Sequence, residues 1–314
     1  MKFKKALKIL LPLVLGGFLV GYSLSSISIK ILVLYFKNAN YYWIGIGLLF
    51  GICSHLSRAY RWKYLLQPLG YNPNFINSIM AVLVAYLVNY AIPRAGEVSR
   101  AAVMANYENI PFEKGLGTIV AERIADLLMI LLIICITLFI EYNYIYQLLI
   151  KNFSIKKIAI ILGVLILGIF LFSVYIKKAS SGLGFKIKGF LLGLVQGVAS
   201  IFKMKYKGAF ILHTLFIWLM YLAMFWVTIP SIEGLKAPLG AVLTGFIAGG
   251  FSIAATNGGI GLYPIAVAGA FSLFNIADEP AKAFGWIMWT AQTAMIIVFG
   301  ALSFLLLPIY NKNK

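Results

Sequence analysis

Five of the chain's nine acids, Glu97, Glu108, Glu113, Glu122 and Asp126, fall between residues 97 and 126. Three of its five arginines, Arg94, Arg100 and Arg123, fall in the same stretch or just before it. Guanidinium groups grip phosphate and carboxylate with a planar two-pronged fork, and carboxylates orient them. Arg94, Glu97 and Arg100 are spaced by three, so a helix can set them along one face. Glu122 and Asp126 share a face at i,i+4, and Arg123 reaches Asp126 at i,i+3. Six apolar residues, Leu127 to Leu132, follow Asp126. That places Asp126 at or below the headgroup level of a membrane, where a charge costs about 2.5–3.5 kcal/mol on insertion scales. Three readings are open for the cluster: a polar cavity for an anionic headgroup, an internal ion-pair network that locks two segments, or a solvated loop.

Two broken apolar runs come next. Asn89-Tyr90-Ala91-Ile92-Pro93-Arg94-Ala95-Gly96-Glu97 ends the first, because Pro93 lacks an N–H and Gly96 permits unusual backbone angles. Thr256-Asn257-Gly258-Gly259-Ile260-Gly261-Leu262-Tyr263-Pro264 breaks the second. Its glycines either expose backbone amides to an anion, with Asn257 adding a donor and an acceptor, or pack a tight tip where space is short. Inside a membrane such breaks persist only under a cover of protein or beside water.

These segments belong to a chain of 314 residues that is 62% hydrophobic, 11% charged and has a mean hydropathy of +0.93. A typical soluble domain is about 45–50% apolar and about 25% charged, so lipid is this chain's solvent. A soluble enzyme, a nucleic-acid-binding domain and a disordered tail are excluded. The net charge of +18 lies between apolar runs, where it orients helices rather than binds nucleic acid. Cys53 and Cys135 read as small hydrophobes, and no metal or cofactor motif is present. His55 and His213 are expected to make local hydrogen bonds, with a proton relay as the alternative. Trp43, Trp62 and Trp289 read as interface anchors.

Clear spans are expected at 7–24, 41–57, 116–140, 157–176, 208–229 and 283–308, with broken segments at 75–92 and 239–275. The first span follows Lys2, Lys4, Lys5 and Lys8 without an A-x-A site after it, and reads as a retained anchor. If all eight segments cross, thirteen Lys and Arg residues fall inside and fourteen outside. If the two broken segments dip in and return, twenty fall inside and seven outside, which fits the positive-inside rule far better. The expected fold is therefore an all-α polytopic membrane protein with about six full transmembrane helices. Two re-entrant helical hairpins, about 75–107 and 239–275, complete one transmembrane domain over 1–314. The halves run in opposite directions, an inverted repeat of the kind whose breaks mark binding sites in transporters. Both termini are expected in the cytoplasm. Segment 183–207 reads as an interfacial amphipathic helix or as an ordinary cytoplasmic loop.

Asn89-x3-Pro93-Arg94-x-Gly96-Glu97-x2-Arg100, then Glu122-Arg123-x2-Asp126, then Gly258-Gly259-x-Gly261 resemble the lysylphosphatidylglycerol synthase transmembrane region, also called the flippase-like domain family. The resemblance covers roughly 10–305 and implies a flippase-like domain without the soluble lysyltransferase half. It implies a transporter rather than an enzyme, in a bacterial inner membrane. Its substrate would be an anionic phospholipid or a lipid-linked headgroup, held by Arg94, Arg100 and Arg123 and oriented by Glu97, Glu122 and Asp126. Asn89, Asn257, Gly258, Gly259 and Gly261 complete the candidate substrate-binding set. The alternative is a membrane accessory subunit for a cytoplasmic aminoacyl- or glycosyl-transferase. The family's usual proline before the glycines and glutamate after them are absent, which counts against a cationic headgroup such as a lysyl-lipid.

Overall fold

The computed structural model describes residues 16–92, 94–142 and 204–312, with isolated positions between 143 and 203. Among the described residues the chain is helical throughout, with ten α-helices and no strand. These are α1 Gly16–Ser25, α2 Ile29–Asn38, α3 Tyr41–Leu66, α4 Phe75–Ala91 and α5 Gly96–Glu108. They continue as α6 Phe112–Ile140, α7 Lys207–Thr228, α8 Leu239–Ala255, α9 Leu262–Ser272 and α10 Asp278–Tyr310. Two compact units emerge: Met1–Glu122 with Gly208–Lys314, and Arg123–Lys207.

Local chemistry sets the boundaries. Asn40 and Asn74 cap α3 and α4 through side-chain oxygens that accept from Tyr42 N and Ile76 N. A 3-10 turn containing Pro68, then Gly70 at φ +87°, ends α3. Asn109 at φ +53° closes α5 in the left-handed conformation. Asp278 and Glu279 occupy the first turn of α10, where they complement the helix dipole.

Among the described residues, three helices are long and apolar enough to cross a membrane: Phe112–Ile140, α7 extended to Ser231, and Asp278–Tyr310. A fourth arises if α1 and α2, bent by 87° at Ser26–Ser28, count as one broken span. No helix is expected over 25–40 from the sequence, yet α2 stands there, an apolar helix with Lys30 near its start and Lys37 near its end. Expected span 41–57 continues nine residues further, to Leu66, and its extension carries Arg58, Arg61 and Lys63. Most of expected span 157–176, residues 7–15 of the first span, most of segment 183–207 and Pro93 lie outside the described residues.

Both broken segments form helix pairs. The first unit packs α4 against α5, α8 against α9, and both pairs against α10. Its apolar core centres on Phe225, Phe271 and Phe284, whose ring centroids lie 5.1–6.2 Å apart. The turn between α8 and α9 holds Gly258, Gly259 and Gly261 at positive φ. Gly261 also presses on α1, because a Cβ there would collide with the Leu19–Val20 backbone.

That contact is testable. Gly261→Ala meets both a left-handed backbone, worth about 1–2 kcal/mol, and a rigid neighbour. It should lower the melting temperature of the detergent-purified protein clearly, whereas Gly269→Ala, with nothing within 4 Å of its Cβ, should not. Equal melting curves would show that the turn does not need glycine at 261.

Candidate functional site

The first unit gathers its buried charge at one place. On α3, Arg58 and Arg61 stand one turn apart and are almost wholly buried. Arg100 arrives from the second turn of α5 and Glu122 from the third turn of α6. Arg100 grips Glu122 with both prongs: Nη1 donates to Oε2 at 2.6 Å and Nη2 to Oε1 at 3.4 Å. Arg61 approaches the same carboxylate, with Nη2 3.9 Å from Oε2, and neither side chain has exposed surface. Arg61 Nη1 also donates to Thr214 Oγ1 on α7 at 2.9 Å.

Aromatic rings enclose the cluster. The Arg100 guanidinium lies 3.7 Å from the centroid of the Trp62 ring, and that of Arg61 lies 5.2 Å from the Phe210 ring. Such contacts are worth about 2 kcal/mol or more once water is removed. Trp62 Nε1 donates to Thr118 Oγ1 at 2.8 Å, so α3, α5, α6 and α7 are tied together around one carboxylate. Two full positive charges thus converge on Glu122. Removing one partner of a buried ion pair typically costs about 3–5 kcal/mol, because the other is left uncompensated.

The expected site residues divide among three places. Arg100 and Glu122 meet in the cluster. Glu97, one turn before Arg100, is half-buried at the start of α5. Arg94 is exposed in the turn before α5, at φ +59°. Arg123 and Asp126 open the second unit and pair with each other at 3.5 Å, with the Arg123 side chain 45% exposed. Asn89 acts on the backbone: its Oδ1 accepts from Gly96 N at 2.8 Å. Gly96 itself sits so close to Ala85 and Asn89 that no Cβ fits.

The second break lies against the first. Gly258 faces the ring of Tyr90, which follows Asn89 at the end of α4. Tyr90 and Thr293 share a hydroxyl hydrogen bond of 3.1 Å, and Trp289 Nε1 donates to the Gly258 carbonyl at 2.9 Å. The Gly259 carbonyl accepts from Tyr263 N, starting α9, and the Asn257 carbonyl accepts from Ile260 N. Trp289 therefore holds the tip of the second pair, and Trp62 floors the charge cluster. Trp62, with no exposed surface, is not the interface anchor expected from its place near a span end, whereas Trp289 is half-buried.

Sequence reasoning missed Arg58, Arg61, Thr118 and Thr214. Ending the second span at Ser57 assigned Arg58 and Arg61 to the headgroup level. A signal was available: two of the chain's five arginines stand at i,i+3, directly continuing an apolar helix, with Trp62 beside them. Thr118 and Thr214 lie in long apolar runs, and nothing in their spacing marks them as partners of charge.

The model of the lysylphosphatidylglycerol synthase TM region matches residues 9–300. A UPF0104 membrane protein of Methanocaldococcus jannaschii is 31% identical over 101 residues, which cover 31% of this chain and 29% of that protein. The chain thus aligns with less than a third of that relative's length. No solved structure matches it. The family match runs through both helix pairs and the Arg61–Arg100–Glu122 cluster, and the chain belongs to the lysylphosphatidylglycerol synthase transmembrane-region family of membrane proteins.

Proposed function

We propose that the protein moves an anionic phospholipid or lipid-linked headgroup across the membrane. The observation that carries this reading is the pair of buried arginines on one buried carboxylate. A guanidinium that can exchange a carboxylate for a phosphate is the group of choice for a headgroup passing through low dielectric. Keeping such charges in a lipid-embedded chain is costly, and intramembrane charges mark substrate paths by default. The contact of the two breaks at Tyr90 and Gly258 supports a path between the helix pairs, since broken helices in transporters meet at the substrate. Glu122 would keep Arg61 and Arg100 in place when no headgroup is bound, and Arg94, at the exposed turn, would meet the headgroup first.

The topology that goes with this reading has six full spans and two re-entrant pairs in an inverted repeat. Both termini face the cytoplasm of a cell whose inner membrane holds the protein. In that arrangement α3 ends, α6 begins and α7 begins at the cytoplasmic side, which is where the charge cluster collects its residues.

A second reading follows from the family's description as the membrane region of a synthase. Here the chain serves as membrane subunit for a cytoplasmic transferase that modifies the lipid it holds. Cross-linking in intact membranes should then recover a transferase in stoichiometric amount. Its absence would leave transport as the remaining role.

Headgroup-labelled phosphatidylglycerol in proteoliposomes tests the site. The variant Arg100→Lys keeps both positive charges on Glu122 and removes only the two-pronged fork, so it should fold. We expect its translocation to fall at least tenfold. Transport at the wild-type rate would reduce the pair to a structural lock. Topology is checked by replacing Cys53 and Cys135 with serine and placing single cysteines at the exposed positions Asn72 and Glu233. An impermeant maleimide should label Glu233→Cys in spheroplasts and Asn72→Cys only after lysis. The opposite pattern, or labelling of both from one side, would remove the inverted repeat.

A further inference from the structure

Deeper along α3 than the charge cluster lies a second polar group that the ion pair does not use. His55 is 94% buried as a residue, with 6% of its surface exposed, and its Nδ1 has no hydrogen-bond partner among the described residues. Its ring packs on Tyr86 of α4 at 4.5 Å between centroids. Tyr86 shares a hydroxyl hydrogen bond of 3.1 Å with Tyr221 of α7. The Arg58 guanidinium lies 5.9 Å from the Tyr221 ring centroid. Three helices thus bring a ring nitrogen, two hydroxyls and a guanidinium to one level of the first unit.

Helix geometry sets the spacing of the levels. His55 precedes Arg61 by six residues, about 9 Å along the axis of α3. Tyr90 follows Tyr86 by four residues, about 6 Å along α4, and touches the tip of the second helix pair at Gly258. The polar groups therefore form steps between the arginine cluster and the two breaks.

We infer that His55, the Tyr86–Tyr221 hydroxyl pair and Arg58 form a phosphate-binding subsite, one level deeper than the Arg61–Arg100–Glu122 cluster. It rests on the headgroup-transport reading above and adds the place where a phosphate pauses between the cluster and the breaks. A phosphate oxygen supplies an acceptor to a protonated Nδ1 and to a tyrosine hydroxyl, and its charge suits the neighbouring guanidinium. The unpartnered Nδ1 is the independent mark of a ligand, because it lies in the same ring that packs on Tyr86 and Tyr221, and a buried polar atom costs stability until it finds a partner.

The chain has two histidines, so ring signals from histidine-labelled, detergent-purified protein resolve the site directly. His213→Gln assigns the spectrum. The probes are dioctanoyl phosphatidylglycerol, inorganic phosphate and dioctanoylglycerol. We expect the His55 signal to shift saturably with the phospholipid and not with dioctanoylglycerol, which lacks phosphate. Tyr86→Phe should weaken that response at least fivefold while the His213 signal, held by its 2.8 Å bond to Ser57, stays in place as a check on folding. An equal shift with inorganic phosphate keeps the subsite and makes free phosphate its ligand. A His55 signal unmoved by both phosphate probes, or moved equally by dioctanoylglycerol, overturns the inference. If His55 stays still while translocation depends on Arg100, the subsite falls alone. If His55 responds and no lipid moves, the transport reading falls and the subsite stands.

Discussion

The structure depends on the need to satisfy two guanidinium groups away from water. Arg61 and Arg100 come from different helices and share the carboxylate of a third, with no exposed surface on Arg61 or Glu122. An isolated buried charge is prohibitive, whereas a paired one is tolerable only when its remaining donors are also met. This requirement explains the company the cluster keeps. Thr214 takes a hydrogen bond from Arg61, Trp62 lies under Arg100, and Thr118 holds the Trp62 indole. Four helices that share little apolar patterning are brought into register by one carboxylate.

The same economy of polar groups governs the two breaks. Backbone freed from a helix inside lipid must find partners in the protein. Asn89 supplies one by accepting from Gly96 N, and Trp289 supplies another by donating to the Gly258 carbonyl. Positive φ at Gly258 lets the chain reverse, and its lack of a side chain lets Tyr90 lie against it. The turn is held through its Gly258 carbonyl and by the Tyr90 ring, so aromatic side chains do the holding.

What could be read from residues alone follows the strength of each physical signal. The broken segments were legible because proline, glycine and asparagine interrupt long apolar runs, and helix pairs stand at 75–108 and 239–272 as the breaks implied. Arg100 and Glu122 were legible as members of a charge cluster, since acids are scarce in this chain. Their pairing across 22 residues was not, because spacing on one helix says nothing about which helices meet. Arg58 and Arg61 escaped notice for a related reason. A positive-inside argument treats cations at a span end as orientation signals, and it takes the fold to show that the helix carries them inward. The helix α2 was hidden by its length, since ten residues fall short of any span and Lys30 and Lys37 leave an apolar run of only six between them.

The last helix has a mechanical consequence of its own. Its 33 residues reach about 50 Å. Near one end, Gly285 fits against Pro264 of α9, and Trp289 and Thr293 engage the two breaks. Farther on, Gly300 lies against Leu83 and Leu87 of α4. Just past its end, Asn311 and Asn77 exchange two amide hydrogen bonds of 2.8 Å, at the base of the first pair. One stiff rod is therefore pinned to both pairs, at the tips and at a base. Neither pair can slide along the axis of α10 without shearing against this common strut. Any opening between them must first give up the Trp289–Gly258 and Tyr90–Thr293 hydrogen bonds, while the Asn77–Asn311 clasp can stay closed.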